Sequence, residues 1–330
     1  MTTTKRNTNA ENKQKIEERL VSMIESSQIA PWRCPWIFGG TDTAFKGSDY
    51  NGVNAVLTAL ARTVGGKKSR VWLTHSKVEE LNGKVYDKDR KRWSKTSDAK
   101  FTAHIRKGAK GLPVVFWNWF QKKDDQGNPV FDDFGNPVEI PFLKTYTVFN
   151  AEDIEGFDPS PFEPTMPETG ISVTSCQEIE DRLLASYAKH PRVVHGGDRA
   201  CYFPALDQVS LPDPAQFTDV VEYASTVAHE LAHSTGHSSR LARKFGEKVD
   251  EVYSREELVA EFTAAMVLEE LGIHEMPVLE NSAAYLKSWL GHIKDNPGVL
   301  FDAITDARKA ASMILGKDTS AKTTVEAVSA

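Results

Sequence analysis

The chain of 330 residues, with 40% hydrophobic and 26% charged side chains, has the balance of a soluble globular protein and is long enough for two folding units. No secretory h-region opens it, no apolar run approaches the ~20 residues of a bilayer span, and three scattered cysteines (Cys34, Cys176, Cys201) exclude a disulfide framework. A cytoplasmic protein with no membrane partner is therefore expected, and its net charge of −6 conceals two opposite halves. Residues 1–150 hold 25 Lys and Arg against 16 Asp and Glu, a formal +9, whereas the rest hold 15 against 30, a formal −15. A polyanion would be drawn to the first half, most strongly between Arg62 and Lys110, and repelled by the second.

After a polar start, Ile16, Leu20, Met23 and Ile24 recur at helical spacing and predict an amphipathic helix. Beyond the PWRCPWIFGG loop, Val53, Val56, Leu57 and Leu60 mark a second helix entered from YNGVN. VWLT (71–74) reads as a strand, with Thr74 placed to cap a short helix through Leu81. Aromatic and β-branched residues predict strands over 112–120 and 142–150, joined by a projecting segment with two Gly-Asn-Pro turns. The first half is thus α+β. Four prolines within residues 157–170 predict an extended linker. The expected organisation is one domain over 12–156, the linker over 157–170, a mainly helical domain over 171–316 and a disordered polar tail over 317–330. The second domain should hold a helix near 175–188, strands around 200–203 and 208–211, and helices over 218–236, 254–272 and 282–314.

The second of these helices, over 218–236, contains HELAH, with Val220, Val221, Ala224, Val227, Ala228 and Leu231 supplying its apolar periodicity. Residues four apart stand ~40° apart around a helix, so His229 and His233 leave one face and can share a metal ion, zinc or manganese. Glu230 is turned aside from that axis, where its carboxylate can act as general base toward a water attacking a peptide carbonyl. The pattern is that of a zinc metallopeptidase of the HExxH kind.

A tetrahedral catalytic zinc needs a third protein ligand. His237 is one candidate, although the longer HExxHxxGxxH pattern would want its histidine where Ser239 stands. Glu256, Glu257 and Glu261 are others, set among Leu258, Ala260, Phe262, Ala264 and Ala265. Glu257 and Glu261 are i, i+4 neighbours, so one can bind metal while the other orients a histidine. The E-x-x-A-E arrangement resembles an element of the gluzincin peptidases whose first acid is the third ligand, and this resemblance implies Glu257 as ligand and Glu261 as its companion. Tyr253, one turn earlier, is a candidate donor to the oxyanion, and the strand near 200–203 a candidate edge for substrate pairing.

In the basic half, Trp72, Trp117 and Trp119 are interleaved with Lys67, Lys68, Arg70, Arg106, Lys107 and Lys110. Single-stranded nucleic acid is held by that mixture, cations following phosphates while rings stack bases. IRKGAKG (105–111) reads as a tight loop presenting three cations.

Taken in order, PW with GG and YNGVN, VWLT, IRKGAKG with VVFW, HELAHSTGH, YSREELVAEFTAA, AYLKSWLGHIKDN and ARKAASMI resemble ArdC-type antirestriction proteins of conjugative plasmids, over nearly the whole chain. The first half is also similar to the N-terminal region of TraC-type plasmid primases. The resemblance implies an α+β protein of two domains, an N-terminal single-stranded-DNA-binding domain and a C-terminal zincin-like metallopeptidase domain. It implies a role when plasmid DNA enters a new host and must escape restriction. The expected partners are single-stranded DNA and a protein or peptide substrate, with host restriction components among the candidates. A non-proteolytic DNA-binding protein whose zincin domain is only a scaffold remains the alternative, because a competent site does not name a substrate.

Overall fold

A computed structural model of the chain describes residues 9–27, 42–87, 92–95, 102–124, 126–132, 135–164, 175–217, 219–245, 251–273 and 298–317. Helix α1 (Asn9–Ser27) buries Ile16, Leu20, Met23 and Ile24 on one stripe, as their spacing predicts. Strand β1 (Thr43–Ala44) leads to α2 (Val53–Val64), whose Val56, Leu57 and Leu60 are buried beside that stripe. Strand β2 (Val71–Thr74) runs directly into α3 (His75–Leu81), with Thr74 Oγ1 accepting the Lys77 N–H at 3.3 Å. Strands β3 (Lys84–Asp87) and β4 (Arg92–Lys95) form a separate antiparallel pair, followed by the short β5 (His104–Ile105).

The long strands β6 (Leu112–Gln121) and β7 (Glu139–Asn150) pair antiparallel from Leu112 opposite Val148 to Gln121 opposite Glu139. The sheet order is β1-β2-β7-β6, with β1 parallel to β2 and the other pairs antiparallel. Helices α1 and α2 pack on β7 and β6. Asn54 locks α2 to the sheet by donating to Val115 O at 2.6 Å and accepting the Val115 N–H at 2.9 Å. The two Gly-Asn-Pro turns between β6 and β7 are built alike, Asp124 accepting the Asn128 N–H and Asp132 the Asn136 N–H, each at 2.8 Å.

The proline-rich segment departs from the expected extended linker as far as residue 164. Strand β8 (Ile154–Glu155) pairs with β5, and Phe157 behind it is buried. The Phe157 and Phe162 rings meet Phe45 edge-on at 5.4 and 4.7 Å, closing a small second core with Val71, Leu73, Val78, Leu81 and Ile154. Prolines restrict the chain without keeping it off the surface when aromatic rings between them can be buried. Residues 165–174, the stretch 282–297 expected to be helical and the tail from 318 lie outside the described residues.

The second part comprises α4 (Cys176–Ser186), β9 (Arg192–His195), β10 (Cys201–Phe203), β11 (Gln208–Leu211), α5 (Val220–Ser234), α6 (Glu251–Glu270) and α7 (Gly298–Ile314). Its sheet runs β10-β11-β9, β11 being antiparallel to β10 and parallel to β9. No helix among the described residues is long and apolar enough to cross a membrane.

Helix α7 packs on α4, α5 and α6 of its own part and also on α1 and α2 of the first. The buried residues of all these helices form one continuous apolar cluster. At this seam Lys13 Nζ lies 2.7 Å from Asp302 Oδ1 and over the Phe301 ring. Glu17, only 4% exposed, has an Oε1 atom with no hydrogen-bond partner. Burial, with Asp302 adding to it and Lys13 opposing, pushes the Glu17 carboxyl from 4.5 up to about 7. Between those values the folded chain keeps a proton that the unfolded chain has lost, so the penalty grows as pH rises from about 4.5 to about 7. Glu17→Gln should therefore raise the thermal midpoint at pH 8, and this gain should disappear near pH 4.5. Calorimetric scans at the two pH values measure it.

Candidate metal centre and nucleic-acid interface

Helix α5 starts where Asp219 accepts the Glu222 N–H at 2.7 Å, and it buries Tyr223, Ala224, Val227, Ala228, Leu231 and Ala232. This apolar stripe fixes the helix rotation, so His229 and His233 emerge together on the side facing α6. Their Nε2 atoms are 3.1 Å apart and their rings lie edge-on, with centroids at 4.7 Å. Glu257 of α6 completes the group, one oxygen standing 3.6 Å from His229 Nε2 and the other 3.5 Å from His233 Nε2. Donor atoms of these three residues lie within 4.8 Å of one another, the cluster that could hold a metal ion among the described residues.

The outer ring nitrogens also face carboxylates. Glu261 Oε1 stands 3.8 Å from His229 Nδ1, and Glu256 Oε1 stands 3.4 Å from His233 Nδ1. Two imidazoles with Nδ1 turned to acids and Nε2 turned to a common point, with a carboxylate beside them, fit a divalent cation in donor type and orientation. Burial disfavours a charged His229, but the hydrogen bond to Glu257 and the charges of Glu261, Glu230 and Glu257 outweigh it and push its pKa up to about 9. The same negative field favours a cation at the shared point. Glu230 is buried next to His229 along the helix, 9% exposed. His237 is instead engaged with Ser239, ring Nδ1 to Oγ at 2.8 Å, and is absent from the cluster. Tyr253 lies on α6, and its side chain falls outside the described residues.

The expected nucleic-acid residues divide into internal and external groups. Trp72 is 3% exposed and its indole N–H donates to Asp42 Oδ2 at 2.8 Å, so its ring belongs to the core and offers no face to a base. Arg70 is turned to the same carboxylate at 4.0 Å with its side chain 13% exposed, while Arg62 Nε bonds it at 3.0 Å. Lys67 is paired with Asp153 at 2.6 Å. Arg106 donates to Glu152 O at 2.9 Å and stands 3.5 Å from Glu155. Lys68, Lys107 and Lys110 are exposed, the last two flanking Gly108, whose φ of +86° allows the tight turn. Trp117 and Trp119 lie on β6, with side chains outside the described residues.

Residues 10–149 match the family model of the N-terminal domain of anti-restriction factor ArdC, and residues 180–306 match that of a zincin-like metallopeptidase. The crystal structure of the antirestriction ArdC protein from plasmid R388, metal-free, is 32% identical, with a TM-score of 0.65 over 92% of this chain and 96% of that one. The chain belongs to the ArdC antirestriction family. The Mn(II)-bound form of the R388 protein aligns at 30% identity and TM-score 0.64, again over 92% of this chain. A DNA primase TraC of Escherichia coli is 33% identical over 316 residues, and the chain spans 19% of that protein's length.

In this ArdC-family site, Arg243 is the residue that sequence reasoning missed. It donates to both oxygens of Glu256, from Nε at 2.8 Å and Nη2 at 2.6 Å, and so anchors the acid facing His233. Sequence separation hides the contact, because Arg243 precedes α6 in a loop without periodicity. Purified protein should bind about one divalent metal ion per chain, lost on His229→Ala or His233→Ala. Glu257→Ala should weaken binding further than Glu261→Ala, for which ~10- to 100-fold is expected. Competition with a chromophoric chelator ranks the variants, and the reverse order would exchange the two roles.

Proposed function

We propose that this chain is an antirestriction protein that holds single-stranded DNA on its N-terminal part and hydrolyses a peptide bond at the α5–α6 site, acting in the cytoplasm of a recipient of mobile DNA. The observation that carries the peptidase reading is the convergence of His229, His233 and Glu257 within 4.8 Å on helices that also carry Glu230. Zinc, or manganese as in the R388 relative, is the proposed ion. When bound, such an ion supplies Lewis acidity.

His229 and His233 offer Nε2, Glu257 offers a carboxylate oxygen, and Glu261 and Glu256 face the outer nitrogens of the two rings. Glu230 takes the proton of the attacking water and passes it to the leaving amine. Tyr253 is the proposed donor to the oxyanion. Strand β10 packs on α5 at the edge of its sheet, where an extended substrate backbone can add as a further strand.

Glu230→Gln should keep the metal and lose peptide hydrolysis, read by mass spectrometry on recipient-cell extracts incubated with each protein. The non-proteolytic alternative expects this variant to protect incoming DNA as fully as the unaltered protein in mating assays with a restricting recipient. For the DNA reading, the exposed cations decide. Lys107→Ala with Lys110→Ala should flatten the log-log salt dependence of oligonucleotide binding by about 1.4 if both meet phosphates of a single strand. Lys67→Ala should leave the slope near its original value, since Asp153 already neutralises that lysine. Fluorescence anisotropy on the full chain measures both, because the shared core makes a fragment ending near residue 150 a poor substitute.

A further inference from the structure

Glu256 and Glu257 are adjacent on α6, chemically identical, and both reach His233: Glu256 at 3.4 Å from Nδ1 and Glu257 at 3.5 Å from Nε2. Nothing in carboxylate chemistry decides which of them turns to the metal position. The difference between them is a guanidinium. Arg243 closes a two-pronged hydrogen bond on Glu256 and holds both its oxygens, with one of these also facing His233 Nδ1.

Arg243 is itself immobilised. Nη1 donates to Thr235 Oγ1 at 2.7 Å and Nη2 to Ala232 O at 2.9 Å, so the side chain caps the last turn of the helix that carries His233. Its side chain is 5% exposed. Gly236 makes the approach possible: a Cβ there would stand 3.1 Å from Arg243 Nη2 and 2.7 Å from the Phe245 ring, which lies over the same glycine. One planar fork thus joins the C-terminal turn of α5 to the first half of α6, within the turns that hold His233 and Glu257.

We infer that Arg243 is a positioning residue which withholds Glu256 from the metal position, leaves that position to Glu257, and through Glu256 keeps His233 with its Nε2 facing inward. The inference rests on the metal-site reading above. A lysine offers one point charge and cannot hold both carboxylate oxygens in a plane, so it replaces the charge without the geometry. Without any cation at 243, the buried Glu256 carboxylate has no neutralising partner of its own and competes for the bound ion.

The test uses the full-length, metal-free protein titrated with Co(II) as a spectroscopic probe and with zinc against a chelator. Arg243→Met should weaken zinc ~10- to 100-fold and lower the intensity of the visible Co(II) bands, as a further carboxylate raises the coordination number. Glu256→Gln placed in the Arg243→Met background should restore the original Co(II) spectrum. Arg243→Lys should fall between the unaltered protein and Arg243→Met. A purely structural strut would lower the thermal midpoint equally with and without zinc. The proposed role instead diminishes the rise that zinc produces. Unchanged Co(II) bands and zinc affinity in Arg243→Met, with the unaltered protein binding normally, would overturn the inference and leave the metal site standing. Failure of the unaltered protein to bind either ion would remove both. Should Arg243→Met not fold, Arg243→Lys carries the same comparison, and full zinc affinity with an unaltered Co(II) spectrum in that variant would also overturn it.

Discussion

Helix α6 is buried nearly all the way round, with Leu258, Val259, Ala260, Phe262, Thr263, Ala264, Ala265, Val267 and Leu268 inside the core, and yet it carries Glu256, Glu257 and Glu261 in its first half. Burying a carboxylate costs several kcal/mol unless it is paired and hydrogen-bonded. The surroundings of the site follow from that requirement. His229, His233 and Arg243 are the partners the fold supplies, and they come from α5, packed against α6, and the loop that leaves it. Ala228 and Ala232 of α5 and Ala260 and Ala264 of α6 are fully or almost fully buried. An excess of acids over these partners remains, which is a field suited to a divalent cation.

The same rule governs the N-terminal part. Asp42 is 3% exposed and gathers Arg62, Arg70 and the Trp72 indole, so the residues that look most like a polyanion surface on paper are internal supports. Asp153 pairs with Lys67, and Asp153 and Glu155 with Arg106, from the strand-end segment some eighty and fifty residues further on. Of the expected set, Lys68, Lys107 and Lys110 face outward, as does Arg106, which is already paired with acids. A charge sum locates the basic half of the chain and is blind to which charges are already paired.

Helix α7 connects these two electrostatic arrangements mainly through apolar contact. It lies against α6 and against α1 and α2, so the helices of the candidate metal site and the N-terminal part share one core. Inter-domain contacts are ordinarily smaller and more polar than this, and relative motion between parts is then the default. Here motion of one part against the other would open buried surface on both, with Glu17 and Lys13 at the seam.

The sequence by itself determined the elements whose signal is local. Periodicity located α1, α2, α5 and α6, Thr74 announced the start of α3, and the i, i+4 histidines of HELAH required only a helix to share a face. Short strands such as β1, β5, β8 and β9 escaped notice, since two to four residues carry no period and exist only through their partners. Tertiary structure alone decided that Phe157 and Phe162 would bury part of a proline-rich segment, that Trp72 would face a carboxylate, and that Glu256 would be held by Arg243 while Glu257 stayed open to the histidines. Each of these depends on which distant group satisfies a buried ring or charge, and that pairing is set by the packing of helices and strands, which spacing along one chain does not encode.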